Sequence, residues 1–346
     1  KSPFNAGQRN GTLQRINHKQ QASHAERLSI LTQKGLKLDQ KDLTDKQFER
    51  LSAFLIDHID LFAEDVTELP GSDICVHHFD TITERPINIK QYKLPHHLQV
   101  EMDRQIDQLL QAGIVEHSTS PYSSPVFLVK KPSKPGEPVK YRFIADLRAL
   151  NSIIVPQFYP LPSMDDCMEI VGRVKPTIFS IIDQTSGYFS IPLSDQCAYK
   201  TGFTVGNRHL HFRRSVMGLQ TSSAQYAYAI SNLLRDTIMN FGLVYLDDLI
   251  LMSPTFEHHL DLLGRVFDKF REAKLRMNPN KCAFGQPEVK FLGLIVSKHG
   301  LYIDESRIQV IKTYPRPRNT KEVKMYLGLV QFFRRFIGGF SIMSYP

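Results

Sequence analysis

The stretch Val244-Tyr245-Leu246-Asp247-Asp248-Leu249-Ile250-Leu251 places two adjacent carboxylates inside a run of apolar, strand-forming residues. Carboxylates are costly to desolvate, and neighbouring residues of a flat strand point to opposite faces of its sheet. The stretch therefore predicts a hairpin that carries Asp247 and Asp248 at its tip, between two apolar strands. Because carboxylates held close together share a proton or a cation, we expect a divalent metal site here, completed by a third acid from elsewhere in the chain.

Asp183 is the candidate for that third acid, because it ends the β-branched segment Ile178-Phe179-Ser180-Ile181-Ile182. The residues that follow it, Gln184-Thr185-Ser186-Gly187-Tyr188, include small side chains that allow backbone amides to approach a ligand. A single Asp at a strand end is more often an ordinary cap than a metal ligand. The prediction therefore depends on pairing Asp183 with the two hairpin acids.

Two other polar patterns compete as metal sites. The pair Asp165-Asp166 falls in the first turn of a helix predicted to begin at Ser163, where the helix dipole favours carboxylates, so we interpret both as capping residues. His209 and His211 share one face of a predicted hairpin, but no Cys or further His lies at zinc-site spacing. We predict that these two, and the His pairs at 77–78, 96–97 and 258–259, are surface histidines.

Composition bounds the class of protein. The 346 residues are 42% hydrophobic, which predicts two or three compact units with a real core. The 43 Lys and Arg against 35 Asp and Glu give a charge of +8, which suits a polyanionic partner. Four widely spaced cysteines without a CxxC pattern predict reduced thiols and a cytosolic compartment. No apolar run approaches ~20 residues, so we expect no membrane span.

The positive charge is concentrated in two places. A predicted hairpin from Ser123 to Asp146 carries the first group of cations. This group forms either an ordinary solvated surface or a flexible cationic lid over phosphates. The stretch from Lys298 to Arg335, which includes two predicted helices, contains nine Lys or Arg and three Asp or Glu, which suits the backbone of a nucleic-acid duplex. The cations of the first group are Lys130, Lys131, Lys134, Lys140, Arg142 and Arg148.

The remaining elements follow from hydrophobic periodicity and turn residues. Residues 1–40 are polar and predict a mobile lead-in. A capping box from Thr44 to Gln47 predicts a helix that ends before Leu69-Pro70-Gly71. Further helices are predicted at about 98–110, from Ser163, after Thr221, and at 260–270, 306–313 and 321–337, with strand pairs at 203–212 and 289–296.

Several short motifs follow one another along the chain. They are Tyr141-Arg142-Phe143, Leu147-Arg148-Ala149-Leu150-Asn151, Tyr159-Pro160-Leu161-Pro162, Asp183 with Ser186-Gly187-Tyr188, Tyr245-Leu246-Asp247-Asp248, Phe291-Leu292-Gly293, Tyr326-Leu327-Gly328-Leu329 and Phe332-Phe333-Arg334-Arg335-Phe336-Ile337. Taken in order, these motifs resemble the reverse transcriptase of gypsy-type (Metaviridae) LTR retrotransposons. The resemblance covers roughly residues 70–341, and although each motif is weak alone, the ordered set is highly specific.

The resemblance implies an α+β fold, the right-hand polymerase with fingers, palm and thumb. In this interpretation residues 1–70 form an N-terminal extension or linker with one helix, and residues 71–160 form part of the fingers. Residues 161–295 form the palm, an antiparallel sheet with helices, together with the remaining fingers elements and the primer grip. Residues 296–346 form the thumb, with room for the start of a connection domain.

The resemblance also implies a chemistry: extension of a primer 3′-hydroxyl with dNTPs on RNA or DNA templates. Two Mg²⁺ ions, for which Mn²⁺ can substitute, would be held by Asp183, Asp247 and, more peripherally, Asp248, with the Gln184 carbonyl as a further ligand. Tyr188 would lie against the incoming sugar and select deoxynucleotides. The other implied nucleotide-binding residues are Lys131, Arg142, Ser186, Gly187, Met217 and Gly218, and the implied primer grip is Phe291, Leu292 and Gly293.

Two departures from the resemblance matter. The segment Val216-Met217-Gly218-Leu219-Gln220-Thr221-Ser222-Ser223-Ala224 stands where related elements usually carry Pro-Phe-Gly-Leu-Thr-Asn-Ala-Pro-Ala. Gln184-Thr185 stands where Leu-Arg is common. The first departure predicts altered surroundings of the templating base and the nucleotide. We still expect the protein to be catalytically competent, because all three carboxylates are present.

The implied partners are an RNA template, a DNA primer, the RNA–DNA hybrid and dNTPs, with a homodimer as an option and a cytoplasmic location within virus-like particles. We expect a polymerase region of the Pol polyprotein without its RNase H and integrase regions. No Asp-Thr-Gly or Asp-Ser-Gly protease signature occurs. Three alternatives stay open: a catalytically silent scaffold subunit of an asymmetric dimer, an RNA-dependent RNA polymerase, and a domesticated nucleic-acid-binding derivative.

Overall fold

A computed structural model describes residues 23–132, 136 and 138–345 of the chain. The predicted mobile lead-in lies outside the described residues over 1–22, as do Ser133, Lys134, Pro135 and Glu137 in the turn of the basic hairpin. The rest combines α-helices with antiparallel sheets, as an α+β fold requires.

The N-terminal part contains two α-helices, α1 (His24–Gln33) and α2 (Asp45–Asp57), followed by the 3₁₀ turns Ile59–Leu61 and Val66–Glu68. The capping box predicted for α2 is confirmed, with Thr44 and Gln47 bonded reciprocally. The prediction of one helix up to residue 70 is wrong, and so is a mobile lead-in for residues 23–40. A second capping box, Ser23 with Glu26, starts α1, and the buried Leu31 and Leu36 fix that segment to the main core.

The central sheet has strand order β7-β8-β4-β9 and is antiparallel throughout. Its strands are β4 (Ile178–Asp183), β7 (Gly242–Tyr245), β8 (Asp248–Ser253) and β9 (Ala283–Gln286). Helices α7 (Ser222–Ile238) and α8 (Phe256–Glu272) cover one face, where residues such as Tyr226, Phe267 and Phe270 join the N-terminal helices in the largest hydrophobic cluster. The sheet therefore holds the ends of β4 and β8 on a rigid support.

A second hydrophobic cluster supports the elements that face this sheet. It joins helix α3 (His96–Gln111) to the basic hairpin, β2 (Val126–Lys130) and β3 (Tyr141–Ala145), and to a three-stranded sheet of order β1-β6-β5. The remaining elements here are β1 (Val115–His117), α4 (Arg148–Asn151), α5 (Met164–Val174), the 3₁₀ helix Gly187–Ser190, α6 (Asp195–Lys200), β5 (Phe203–Val205) and β6 (Arg208–Phe212).

Arg214 joins three separate segments around this second cluster. Its guanidinium donates to the carbonyls of Leu69 at 3.3 Å, Phe189 at 3.2 Å and Ala112 at 3.1 Å. Burial lowers the pKa of Arg214, and the three carbonyl dipoles compensate for the lost hydration. One side chain thus fixes the N-terminal segment, the end of α3 and the 3₁₀ helix at Gly187–Ser190 to one another.

The C-terminal part is a small antiparallel sheet followed by helices. Its strands, in order, are β10 (Glu288–Phe291), β11 (Leu294–Ser297) and β12 (Gly300–Ile303), and its helices are α9 (Glu305–Lys312), α10 (Thr320–Gln331) and α11 (Phe340–Ser344). The predicted helix at 321–337 is shorter, because α10 ends at Gln331 and only a 3₁₀ turn, Arg334–Phe336, follows. The domain boundaries inferred from the sequence stay predictions.

Several histidines predicted to lie on the surface are buried instead. His77 is fully buried between the hydroxyls of Ser215 at 2.9 Å and Thr221 at 2.8 Å, and burial lowers its pKa to about 4. His259 and His211 are likewise buried, each bonded to serine hydroxyls. The sequence pattern missed these positions because most of the hydroxyl partners lie far along the chain.

Asp165 and Asp166 lie in the first turn of α5, as expected. Asp166 closes a capping box with Ser163, which confirms its predicted role, whereas Asp165 pairs with Arg335 at 2.5 Å. The four cysteines are free. Among the described residues, every helix is too short or too polar to cross a membrane.

Candidate active site

The hairpin predicted from the two acids is present, and its turn separates them. β7 ends at Tyr245 and β8 begins at Asp248, and these two residues pair across the turn formed by Leu246 and Asp247. Leu246 takes a left-handed backbone conformation with φ of +53°. Asp247 therefore occupies the turn itself and Asp248 the first strand position.

The neighbouring strand brings in the third acid. In the antiparallel pairing of β4 with β8, Asp183 is the direct partner of Asp248. Directly opposed residues of such a pair have Cα atoms about 4.5–5.5 Å apart. Asp183 is thus the last residue of β4 and Asp248 the first of β8, next to the turn that holds Asp247.

Burial raises the proton affinity of all three carboxyls. Burial, followed by the charges of Asp183 and Asp248, raises the pKa of Asp247 to about 6. Burial likewise raises the pKa values of Asp183 and Asp248, and the nearby Lys281 opposes both shifts. Asp247 Oδ1 is buried and has no hydrogen-bond partner among the described residues. This arrangement of excess negative charge favours a cation.

Lys281 already supplies one positive charge. Its Nζ lies 3.2 Å from Oδ1 and 3.1 Å from Oδ2 of Asp183. The turn that carries it is anchored to the same strand, because the Asn278 amide donates to the Asp183 carbonyl at 2.9 Å. Lys281 was not among the residues predicted from the sequence for this site, because no local signal links it to Asp183.

The carboxylates suit a hard divalent cation, but they do not form a closed site. Within residues 23–132 and 138–345, no group of three or more His, Cys, Asp or Glu side chains is arranged to hold a metal ion. Asp183 and Asp247 do face one cleft, and oxygen donors with an unpartnered buried carboxylate oxygen fit Mg²⁺ or Mn²⁺. These two residues would hold the ion. The fuller ligand set, with Asp248 and the Gln184 carbonyl, stays a prediction.

The cleft has a volume of about 450 Å³ and collects most of the predicted site residues. Asp248 and Gly218 lie outside its lining, among the residues that the structure describes. Side chains that were not predicted for this site from the sequence also line it, including Glu64, Arg104 and Lys281. The predicted residues in the lining are Lys131, Arg142, Asp183, Gln184, Ser186, Gly187, Tyr188, Met217 and Asp247.

Cations of the basic hairpin face the carboxylates across this cleft. Lys131 continues the β2–β3 pairing, its amide donating to the Lys140 carbonyl at 2.8 Å, and Arg142 lies opposite Val129 on β3. Burial and then the charges of Arg142, Lys140 and Lys281 lower the pKa of Lys131. Clustered cations that destabilise one another in this way are stabilised by an anion, which supports the lid interpretation over an ordinary solvated surface.

The segment after Asp183 forms the floor of the cleft. Ser186 has a left-handed φ of +48°, and the 3₁₀ helix that follows presents Tyr188 to the cleft. A Cβ on Gly187 would lie 2.4 Å from the Tyr226 hydroxyl, so glycine is required for this close approach. The sequence predicts that small residues here let backbone amides approach a ligand, and the close packing against Tyr226 is a second reason for glycine at this position.

The loop at Met217 and Gly218 forms a further wall. Met217 is exposed and lines the cleft, and Gly218 has a left-handed φ of +93°. The Asn151 amide holds the loop, donating to the Gly218 carbonyl at 2.7 Å and accepting from the Gln220 amide at 2.8 Å. The motif that contains Asn151 was noted in the sequence, but its contact was not.

The predicted primer grip lies outside the cleft lining. Phe291 is buried at the end of β10, and Leu292 and Gly293 make the left-handed turn to β11, with φ of +51° and +81°. A Cβ on Gly293 would lie 2.3 Å from the Arg307 guanidinium of helix α9. The turn therefore packs against the first C-terminal helix, and its role with a primer stays a prediction.

The chain is similar to known proteins along most of its length. A family model described as reverse transcriptase (RNA-dependent DNA polymerase) matches residues 129–296. The Pol polyproteins from the Drosophila melanogaster transposons 297 and gypsy are 34% and 32% identical to it over 78% and 77% of this chain. These alignments cover 25% and 26% of the two relatives, so the chain spans about a quarter of their length.

Solved structures agree in fold. The foamy viral protease-reverse transcriptase in complex with dsDNA matches 92% of this chain and 64% of its own, with a TM-score of 0.75 and 25% identity. The same viral protein in complex with an RNA/DNA hybrid matches 90% of this chain and 40% of its own, with a TM-score of 0.72 and 23% identity. The predicted α+β polymerase fold and the gypsy-type resemblance are confirmed.

Proposed function

The chain belongs to the reverse transcriptase (RNA-dependent DNA polymerase) family, on its gypsy-type retrotransposon branch, and we propose that it extends a primer 3′-hydroxyl with dNTPs on RNA or DNA templates. The observation that carries the proposal is the cleft in which Lys131 and Arg142 face Asp183 and Asp247. Opposed cations and carboxylates suit a nucleoside triphosphate, whose phosphates need positive charge and whose reacting phosphorus needs a bound metal.

The basic hairpin binds and orients the triphosphate. Lys131 and Arg142 contact its phosphates, and the lowered pKa of Lys131 is restored once the anion is bound. On the opposite side, Asp183 and Asp247 are the metal-binding carboxylates. Held there, with Asp248 and the Gln184 carbonyl as further ligands, two Mg²⁺ or Mn²⁺ ions would activate the primer hydroxyl and neutralise charge on the leaving pyrophosphate.

The reaction joins the primer 3′-oxygen to the α-phosphorus and breaks the bond from that phosphorus to the pyrophosphate oxygen. The chain's own contribution is alignment, because positioning and charge supply most of the catalysis in phosphoryl transfer. The floor from Gln184 to Tyr188 supports the nucleotide, and the ring of Tyr188 lies against its sugar. An aromatic ring there leaves no room for a 2′-hydroxyl, so deoxynucleotides are the substrates.

The nucleic-acid partner is a primer–template duplex, including the RNA–DNA hybrid. The foamy viral relatives are described in complex with dsDNA and with an RNA/DNA hybrid. In this chain the exposed basic residues of α9 and α10 and the connection between them, such as Lys312, Arg316 and Lys324, supply phosphate contacts. We place the activity in the cytoplasm, within virus-like particles.

Primer extension on an RNA template with Mg²⁺ and dNTPs tests this function. Wild type should extend the primer, and Asp247→Asn should lose at least about 100-fold in rate, because a metal-binding carboxylate is removed. Asp261→Asn, an exposed acid on α8, is the matched control and should behave as wild type. A wild type that binds hybrid but extends nothing would overturn the proposal in favour of a silent scaffold subunit.

A further inference from the structure

Tyr188 is held from two sides by helix α7. Its hydroxyl lies 3.2 Å from Ser223 Oγ, and its ring centroid lies 5.3 Å from that of Tyr226. Ser223 and Tyr226 are three residues apart, so they share one face of the helix. The ring that borders the cleft is therefore fixed both at its tip and along its side.

The surroundings keep this contact in place. Tyr226 is fully buried, and the absence of a side chain on Gly187 lets the helix approach the 3₁₀ helix that carries Tyr188. Tyr188 is only half-buried, with one side open to the cleft. Burial raises the pKa of its hydroxyl, which stays protonated at neutral pH and available as a hydrogen-bond donor.

Ser223 is one of the positions at which the chain departs from the gypsy-type pattern. The resemblance places proline there, in the segment Asn-Ala-Pro-Ala, whereas this chain has Thr221-Ser222-Ser223-Ala224. A proline side chain has no hydroxyl and cannot bond to a tyrosine. The anchor on Tyr188 therefore depends on a residue that the family pattern does not supply.

We propose that Ser223 is a specificity-determining positioning residue, whose hydroxyl fixes the Tyr188 ring where it excludes the 2′-hydroxyl of a ribonucleotide. Steric exclusion depends on a wall that does not yield, and a tyrosine free at its tip can move away from the sugar. Sugar selectivity in this chain then depends on Ser223 as well as on Tyr188. This inference rests on the proposed polymerase function and deepens it.

The test compares kcat/KM for a dNTP and for the matching rNTP in primer extension. Ser223→Ala and Tyr188→Phe should each lower the dNTP/rNTP selectivity about 3- to 10-fold, which corresponds to one neutral hydrogen bond. In both variants the loss should arise from a higher kcat/KM for the rNTP than in wild type. The double variant should be no worse than either single variant, because both remove the same bond.

Two further variants separate positioning from folding. Ser223→Thr keeps a hydroxyl and should retain the selectivity, and Ser231→Ala, on the same helix, should match wild type. Unchanged selectivity in Tyr188→Phe, or additive losses in the double variant, would overturn the inference while leaving the polymerase function intact. A wild type that extends no primer would instead reject the proposed function. Thermal unfolding of each variant identifies any that fails to fold. If a Ser223 variant fails to fold, the selectivity of Tyr188→Phe alone tests the inference.

Discussion

Lys281 holds Asp183 in an ion pair, with its Nζ 3.2 Å and 3.1 Å from the two carboxylate oxygens. The Asp183 side chain is 14% exposed and the lysine side chain 63%, so a solvent-facing cation covers a nearly buried acid. The ammonium partly offsets the repulsion among the three carboxyls at the end of the central sheet. It also occupies oxygens that a metal ion would need.

Removing this ammonium should strengthen metal binding. In Lys281→Met, Asp183 is free of its competitor, and we expect Mn²⁺ to bind the protein without nucleic acid about 2- to 5-fold more tightly, as for loss of one exposed ion pair. Titration calorimetry or Mn²⁺ paramagnetic resonance measures this directly. Lys290→Met, which removes an exposed lysine paired with Asp304, is the control. Weaker Mn²⁺ binding in Lys281→Met would show that the lysine assists the site instead.

The stability of the metal-free protein should depend on pH through Asp247. Folding raises the pKa of Asp247 from 3.8 to about 6. The protonated carboxyl therefore stabilises the folded state fully below pH 3.8, and this stabilisation is lost as the pH rises through 6. Asp247→Asn cannot ionise at this position. We therefore expect the free energy of unfolding of the variant, relative to wild type, to be on the order of 1–3 kcal/mol higher at pH 7.5 than at pH 4. Urea unfolding with a chelator at both pH values gives the comparison. Equal differences at the two pH values would contradict the raised pKa.

Gly187→Ala should damage the floor of the cleft. Its added Cβ would lie 2.4 Å from the hydroxyl and 2.6 Å from the ring of Tyr226, which is fully buried and cannot move aside. We expect a loss of about 1–3 kcal/mol in free energy of unfolding from overpacking. Weaker dNTP binding should follow from the displaced Tyr188. Gly172→Ala is the matched control, because its Cβ would meet nothing within 4 Å on helix α5. Identical unfolding curves for the two variants would reject this packing.

Helix α1 should contribute to global stability even though it lies outside the cleft. Leu31 is 1% exposed in the main hydrophobic cluster, so Leu31→Ala should cost about 2–5 kcal/mol of unfolding free energy. Ser29→Ala, at an exposed position of the same helix, should have little effect. Chemical denaturation measures both. If Leu31→Ala leaves the unfolding midpoint unchanged, residues 23–40 do not pack on the core.

Local signals predicted the hairpin and most helices, because capping boxes and periodicity act within a few residues of the chain. The Thr44 box and the Tyr245–Asp248 turn are examples. The box at Ser23 was overlooked because its surroundings are polar, and Leu31 is buried only through packing against distant segments. The hydrophobic periodicity of one segment does not indicate contacts with segments far along the chain.

The candidate site was predictable to the extent that its residues end regular elements. Asp183 and Asp247 were identified because an acid next to apolar strand residues is costly to desolvate and so indicates a function. Lys281 was missed, because it reaches Asp183 across 98 residues through a turn whose only local signal is Asn278-Pro279-Asn280. Asp248 was expected to be the more peripheral acid, and it lies outside the lining of the cleft because the two-residue turn ends before it.

The three carbonyl contacts of Arg214 have a mechanical consequence. They clamp Leu69, Ala112 and Phe189 to one guanidinium, so the end of α3 cannot swing relative to the floor of the cleft without breaking them. Replacing this one guanidinium would therefore release three segments at once, and the end of α3 and the floor of the cleft would lose their fixed relative position.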